Sequence, residues 1–93
     1  MILNFKCNET EKIWNGIVSL KLPMDIQHVA RRKLRMLNQA KKLSDLMIPP
    51  NNRLKALKGQ RIGEYSIRIN QQWRICFKWE AGHVLEVKIE DYH

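Results

Sequence analysis

Asp91, Tyr92 and His93 close the chain, placing an acid, a phenol and an imidazole directly after an alternating apolar pattern. An imidazole with its ordinary pKa of about 6.5 exchanges protons near neutrality. Asp91 could orient that ring. Upstream are cations suited to phosphoryl chemistry. Arg68 and Arg74 flank the turn Asn70-Gln71-Gln72, which sets them side by side on neighbouring strands. Lys58 and Arg61, from the preceding loop, could reach the same surface. Adjacent guanidiniums repel, so an anion between them would explain their clustering. Cleavage of an RNA phosphodiester needs a base for the 2′-OH, an acid for the leaving 5′ oxygen, and cations for the phosphorane. Arg68, Arg74, Lys58, Asp91, Tyr92 and His93 supply those types with no metal or cofactor. The blander alternatives are a solvated terminal histidine, and arginines neutralised across the sheet by Glu86 and Glu90.

Other chemistries have little to stand on. Cys7, Cys76, His28, His83 and His93 show no zinc-ligand spacing. Gly59 and Gly63 are isolated and form no phosphate-cradling loop. Cys76 falls inside a strand pattern and reads as packing rather than as a nucleophile. No apolar run is long enough to span a membrane. Met1-Ile2-Leu3-Asn4-Phe5 does not read as a signal peptide, so a reducing, cytoplasmic setting is expected.

The elements that must position these groups follow from periodicity. At 93 residues and 44% hydrophobic content, one globular domain spanning residues 1–93 is expected. Residues 1–6 read as a strand, and Asn8 as the N-cap of a short helix containing Ile13 and Trp14. Pro23 precedes a long helix predicted from about Asp25 to Leu43. Its inward stripe is Ile26, Val29 or Ala30, Leu34, Leu37 and Ala40. The Pro49-Pro50-Asn51-Asn52 break leads into β sequence. Tyr65, Ile67 and Ile69, then Trp73, Ile75, Phe77 and Trp79, then Leu85, Val87 and Ile89 alternate with polar residues. The expected fold is α+β: an antiparallel sheet of about four strands, two N-terminal helices on one face, and Arg68, Arg74 and Lys78 displayed on the other.

Net charge is +8, and its distribution is uneven. Residues 1–20 balance, whereas residues 21–42 hold seven cations against Asp25 alone. The outer face of the long helix carries His28, Arg31, Arg32, Arg35 and Lys42. A solvated basic face is one reading of such a run; a polyanionic partner is the other.

Four segments carry a resemblance. Asn52-Arg53-Leu54-Lys55-Ala56-Leu57-Lys58-Gly59, Tyr65-Ser66-Ile67-Arg68-Ile69-Asn70, Gln72-Trp73-Arg74-Ile75-Cys76-Phe77 and Glu90-Asp91-Tyr92-His93 resemble the HigB branch of the RelE/ParE toxins. The resemblance implies a bacterial type II toxin that cleaves mRNA on the translating ribosome. It also implies a HigA-type antitoxin with a helix-turn-helix domain, and contact with operator DNA only through that antitoxin. By position, Lys58 matches the family's Leu-Lys-Gly lysine and Arg74 its Trp-Arg arginine. Asp91, Tyr92 and His93 match its terminal catalytic group. Arg68 matches a preceding-strand arginine whose place shifts by a residue between branches. Some members carry a histidine three residues before the Leu-Lys-Gly lysine, where this chain has Lys55. With that resemblance, Arg31, Arg32, Arg35, Lys55 and Arg61 are expected to contact RNA. Two other classes share parts of the pattern: a ParE-like inhibitor of DNA gyrase, and an RNA-binding module acting on ribosome assembly.

Overall fold

The computed structural model describes residues 1–91. Two helices, α1 (Asn8–Trp14) and α2 (Met24–Gln39), precede four strands: β1 (Lys55–Ala56), β2 (Glu64–Arg68), β3 (Trp73–Glu80) and β4 (His83–Asp91). The strands form one antiparallel sheet in the order β1-β2-β3-β4. This is the α+β architecture that the alternating and 3.6-residue patterns predict.

Helix α2 packs its apolar stripe on the sheet. Ile26, Ala30, Leu34 and Leu37 are buried against Ile67, Ile75, Phe77 and Val87, with Ile13 of α1 in the same cluster. Asp25 in the first turn suits the positive end of the helix dipole. The helix stops at Gln39, four residues before the predicted end at Leu43, because Ala40 turns extended. The Asp45 carboxylate then accepts the amides of Lys41 and Lys42 at 3.0 and 3.1 Å. A 3-10 turn, Leu43–Met47, follows and buries Leu46. The cap of α1 also differs by one position: Cys7 is the N-cap and Asn8 the first helical residue.

Residues 1–6 lie alongside β4 but do not form the predicted strand. Two isolated parallel bridges, Ile2 to Val84 and Phe5 to Val87, are all that forms. The break has a local cause. Glu86 takes a left-handed backbone (φ 51°), the register of β4 on β3 shifts between Cys76 and Lys78, and the Asn4 side chain accepts the Glu86 amide. Such a bulge re-aims the strand. Val84, Val87 and Ile89 therefore face the core and Leu85 does not, correcting the predicted inward set Leu85, Val87 and Ile89. Ala81 (φ 49°) and Gly82 (φ 84°) make the two-residue β3–β4 turn, both in the left-handed region that suits the twist of the hairpin.

Candidate active site

The sheet register builds a row of charge at one end. Arg68 of β2 lies opposite Arg74 of β3, and Arg74 lies opposite Glu90 of β4. Proximity of the two arginines thus follows the sequence expectation, but the solvated face does not. Arg74 is buried. Its Nε donates to Ser66 Oγ at 2.8 Å, and an Nη donates to the carbonyls of Arg53 at 2.7 Å and Ser66 at 3.4 Å. Arg53 presents its carbonyl from a left-handed turn (φ 46°) after the 3-10 turn Pro50–Asn52. The Arg53 carbonyl reaches Arg74 and the Arg61 side chain reaches Glu90, and Ser66 and Cys76 are buried with Arg74. Lys78 alone among the three predicted cations is exposed, paired with Glu86 at 2.7 Å. Arg68 is half-buried, and its Nε donates to the Asn70 carbonyl at 3.1 Å.

A third cation comes from the helix layer. Lys33 of α2 is buried, and its Nζ donates to the Arg68 carbonyl at 2.6 Å. Burial first, then the charges of Arg32, Arg68 and Arg74, lowers its pKa. Arg68, Arg74 and Lys33 therefore share one electropositive region in which the like charges are felt. Lys33 was missed from sequence. Its signal is its place beside Ala30 and Leu37 on the buried face of α2, where Gln27 is the other polar residue.

Lys58 is exposed at the start of the 3-10 turn Gly59–Arg61. Gly59 follows it with φ 67°, a conformation that a side chain would strain, which gives the Leu-Lys-Gly run its glycine. A cavity of about 290 Å³ is lined here by Lys55, Ala56, Leu57, Lys58 and Arg61. Arg61 is not an isolated cation: it binds Glu64 of β2 and Glu90 of β4, and those hydrogen bonds raise its pKa. Glu86 and Glu90, the two acids considered as partners for Arg68 and Arg74, are thus engaged by Lys78 and Arg61.

The remaining predicted residues separate. Arg32 and Arg35 project from α2 and are exposed, whereas Arg31 donates to the Ile13 carbonyl at 3.1 Å and ties α2 to α1. Asp91 pairs with Trp73 in register and accepts a hydrogen bond from Gln72 at 3.1 Å. Alternation along β4 puts it on the helix-bearing side with Ile89, away from Arg74 and Glu90. Tyr92 and His93 lie outside the described residues. Among the described residues, no cluster of histidine, cysteine and acidic side chains could hold a metal, and no helix is long and apolar enough to cross a membrane.

The fold recurs in a solved structure of another protein. The YoeB dimer from Staphylococcus aureus superposes with a TM-score of 0.61 at 17% identity, covering 99% of this chain and 94% of that one. Sequence then gives the family. A family model described as "RelE-like toxin of type II toxin-antitoxin system HigB" matches residues 4–93. Toxin HigB-1 of Vibrio cholerae serotype O1 is 37% identical over 93 residues, covering 99% of this chain and 98% of the relative. A Haemophilus influenzae protein without an assigned role is 33% identical over 77 residues, covering 83% and 76%. The chain belongs to the HigB-type, RelE-like toxins of type II toxin–antitoxin systems. An antitoxin is accordingly one of its partners.

Proposed function

We propose that this toxin is an endoribonuclease that cuts mRNA on the translating ribosome without a metal ion. The observation that carries the reading is the pairing of Arg68 with Arg74 at one end of the sheet, with Lys33 bonded to the Arg68 carbonyl from the helix layer. Such a field favours a phosphate and the extra charge of a phosphorane. In this reading Arg68 and Lys58 touch the scissile phosphate. Arg74, held by Ser66 and Arg53, adds fixed charge from beneath. His93 and Tyr92 exchange the protons, and Asp91 anchors the end of β4 that leads to them. Arg32, Arg35 and Lys55 meet the ribosomal or messenger RNA backbone. A HigA-type antitoxin neutralises the toxin in the cytoplasm and provides the contact with operator DNA. Residues 1–93 act as one domain.

Primer extension on a reporter mRNA in a translation extract tests this. Wild-type toxin should produce cuts that require ribosomes, and removing His93 or substituting Arg68→Ala should lower their rate by about 10²–10³-fold. Intact mRNA with wild-type toxin would sink the nuclease reading and leave gyrase inhibition as the next assay.

A further inference from the structure

Arg61 was expected to contact RNA, yet its surroundings fit another task. The segment around Lys58 is tethered at both ends by one residue of β2, Glu64. The Glu64 carbonyl accepts the Leu57 amide at 2.9 Å. The Glu64 carboxylate accepts Arg61 Nε at 3.4 Å and an Arg61 Nη at 3.0 Å. Lys58 lies between the tethers, and its own carbonyl accepts the Arg61 amide at 3.3 Å. A further bond ties the segment across the sheet: an Arg61 Nη donates to Glu90 at 2.6 Å. Glu90 is opposite Arg74 in register and immediately precedes Asp91. A single guanidinium therefore joins the Lys58 turn to the start of β2 and the end of β4. With two carboxylates bound, the charge and donors of this guanidinium are already engaged, leaving less of either for an RNA phosphate.

We infer that Arg61 is a positioning residue, whose bridge between Glu64 and Glu90 fixes the Lys58 turn relative to the Arg68–Arg74 row. The bridge acts through geometry. Released from it, the turn would still carry Lys58 but would no longer hold its ammonium at one distance from the arginines. Misplacement of a reacting group by about 1 Å costs on the order of 10²-fold in rate. As a step in cleavage this inference rests on the nuclease reading above; as a tether of the turn it stands separately.

The two roles of Arg61 predict opposite signs for one substitution. If Arg61 were an RNA contact, Glu90→Gln would remove a competing anion, and binding would hold or improve. If Arg61 positions Lys58, Glu90→Gln weakens the bridge and cleavage slows. The experiment is single-turnover cleavage on mRNA-programmed ribosomes, at saturating toxin and across a toxin titration. It compares wild type, Arg61→Ala, Glu90→Gln and the double variant, each first checked by circular dichroism and urea titration. Glu64→Gln serves as a second probe of the bridge if either single variant fails to fold. The expected result is a saturating rate lowered about tenfold or more in both single variants. Half-saturation should stay unchanged, and the double variant should cut no more slowly than Arg61→Ala. Glu90→Gln cutting at or above the wild-type rate, with Arg61→Ala raising half-saturation, would overturn the inference. Amide exchange over residues 57–61 is measured on the same proteins and needs no cleavage. If wild type does not cut, the nuclease reading falls and exchange decides the tether: faster exchange in the variants supports it, and unchanged exchange overturns it.

Discussion

At the residue scale, burial changes what Arg74 means. For an arginine displayed on the open face of the sheet, Arg74→Ala would remove activity and leave the fold intact. With Arg74 buried and bonded to Ser66 and Arg53, its removal strands acceptors inside the protein. We expect Arg74→Ala to lose stability by about 1–3 kcal/mol as well as activity. Arg68→Ala, at a half-buried residue, should lose less than about 1 kcal/mol. Urea titration of both variants checks the contrast. The cysteines make a second pair. Burial, then the hydrogen bond and charge of Glu90, push the Cys76 thiol up to about 12. At Cys7 burial acts in the same direction, but bonds from the backbone of Thr10 and Glu9 outweigh it and lower the pKa. Iodoacetamide at pH 8 should therefore modify Cys7 well before Cys76, since the thiolate is the nucleophile. Mass spectrometry of the alkylated protein reads the order, and equal rates would contradict the burial of Cys76.

At the element scale, long periodic segments were legible and short or bulged ones were not. The stripe Ile26, Ala30, Leu34, Leu37 repeats often enough to mark α2, and the alternations through β2 and β3 mark strands. In β4 the same rule misplaces Leu85, because one residue, Glu86, takes a left-handed backbone and shifts the phase of everything N-terminal to it. No side-chain pattern announces that; Asn4, 82 residues away in sequence, helps to hold it. The β3–β4 turn offers a stability test. Ala81 sits at φ 49°, a conformation that alanine resists and asparagine adopts more readily. Ala81→Asn should raise stability by about 0.5–1 kcal/mol, visible as a higher urea midpoint with an unchanged slope.

At the scale of the whole molecule, charge governs both stability and partners. Burial raises the pKa of the Glu90 carboxyl, but hydrogen bonds from Arg61 and Cys76 and the charge of Arg61 outweigh it, leaving it below its ordinary 4.5. A carboxyl with a depressed folded pKa stabilises the protein above its unfolded pKa and loses that contribution as pH falls through the folded one. Stability from the Arg61 bridge should thus be whole above about pH 5 and decline below it. Glu90→Gln should flatten that acid limb in a series of melts. The net charge of +8 adds self-repulsion in acid. It also makes RNA attraction salt-sensitive, so removing exposed Arg32 or Arg35 should lower the slope of log affinity against log salt by about one unit each if each meets a phosphate.

Legible in the chain alone are the α+β class, the helix on its apolar stripe, the adjacency of Arg68 and Arg74 around a short turn, and the family. These depend on local periodicity, turn length and short motifs, all of which are contiguous in the chain. Which cations are exposed, and what they hold, depends on long-range packing. Arg74 is held because the Arg53 carbonyl, 21 residues away in sequence, closes on its guanidinium. Lys33 reaches the sheet because α2 crosses the Arg68 carbonyl. Arg61 faces Glu90 because β4 returns beside β3. Each of these contacts joins residues at least 21 positions apart. A cation's role depends on the dielectric and partners around it, and those are set by packing between distant segments rather than by the neighbours that a sequence displays.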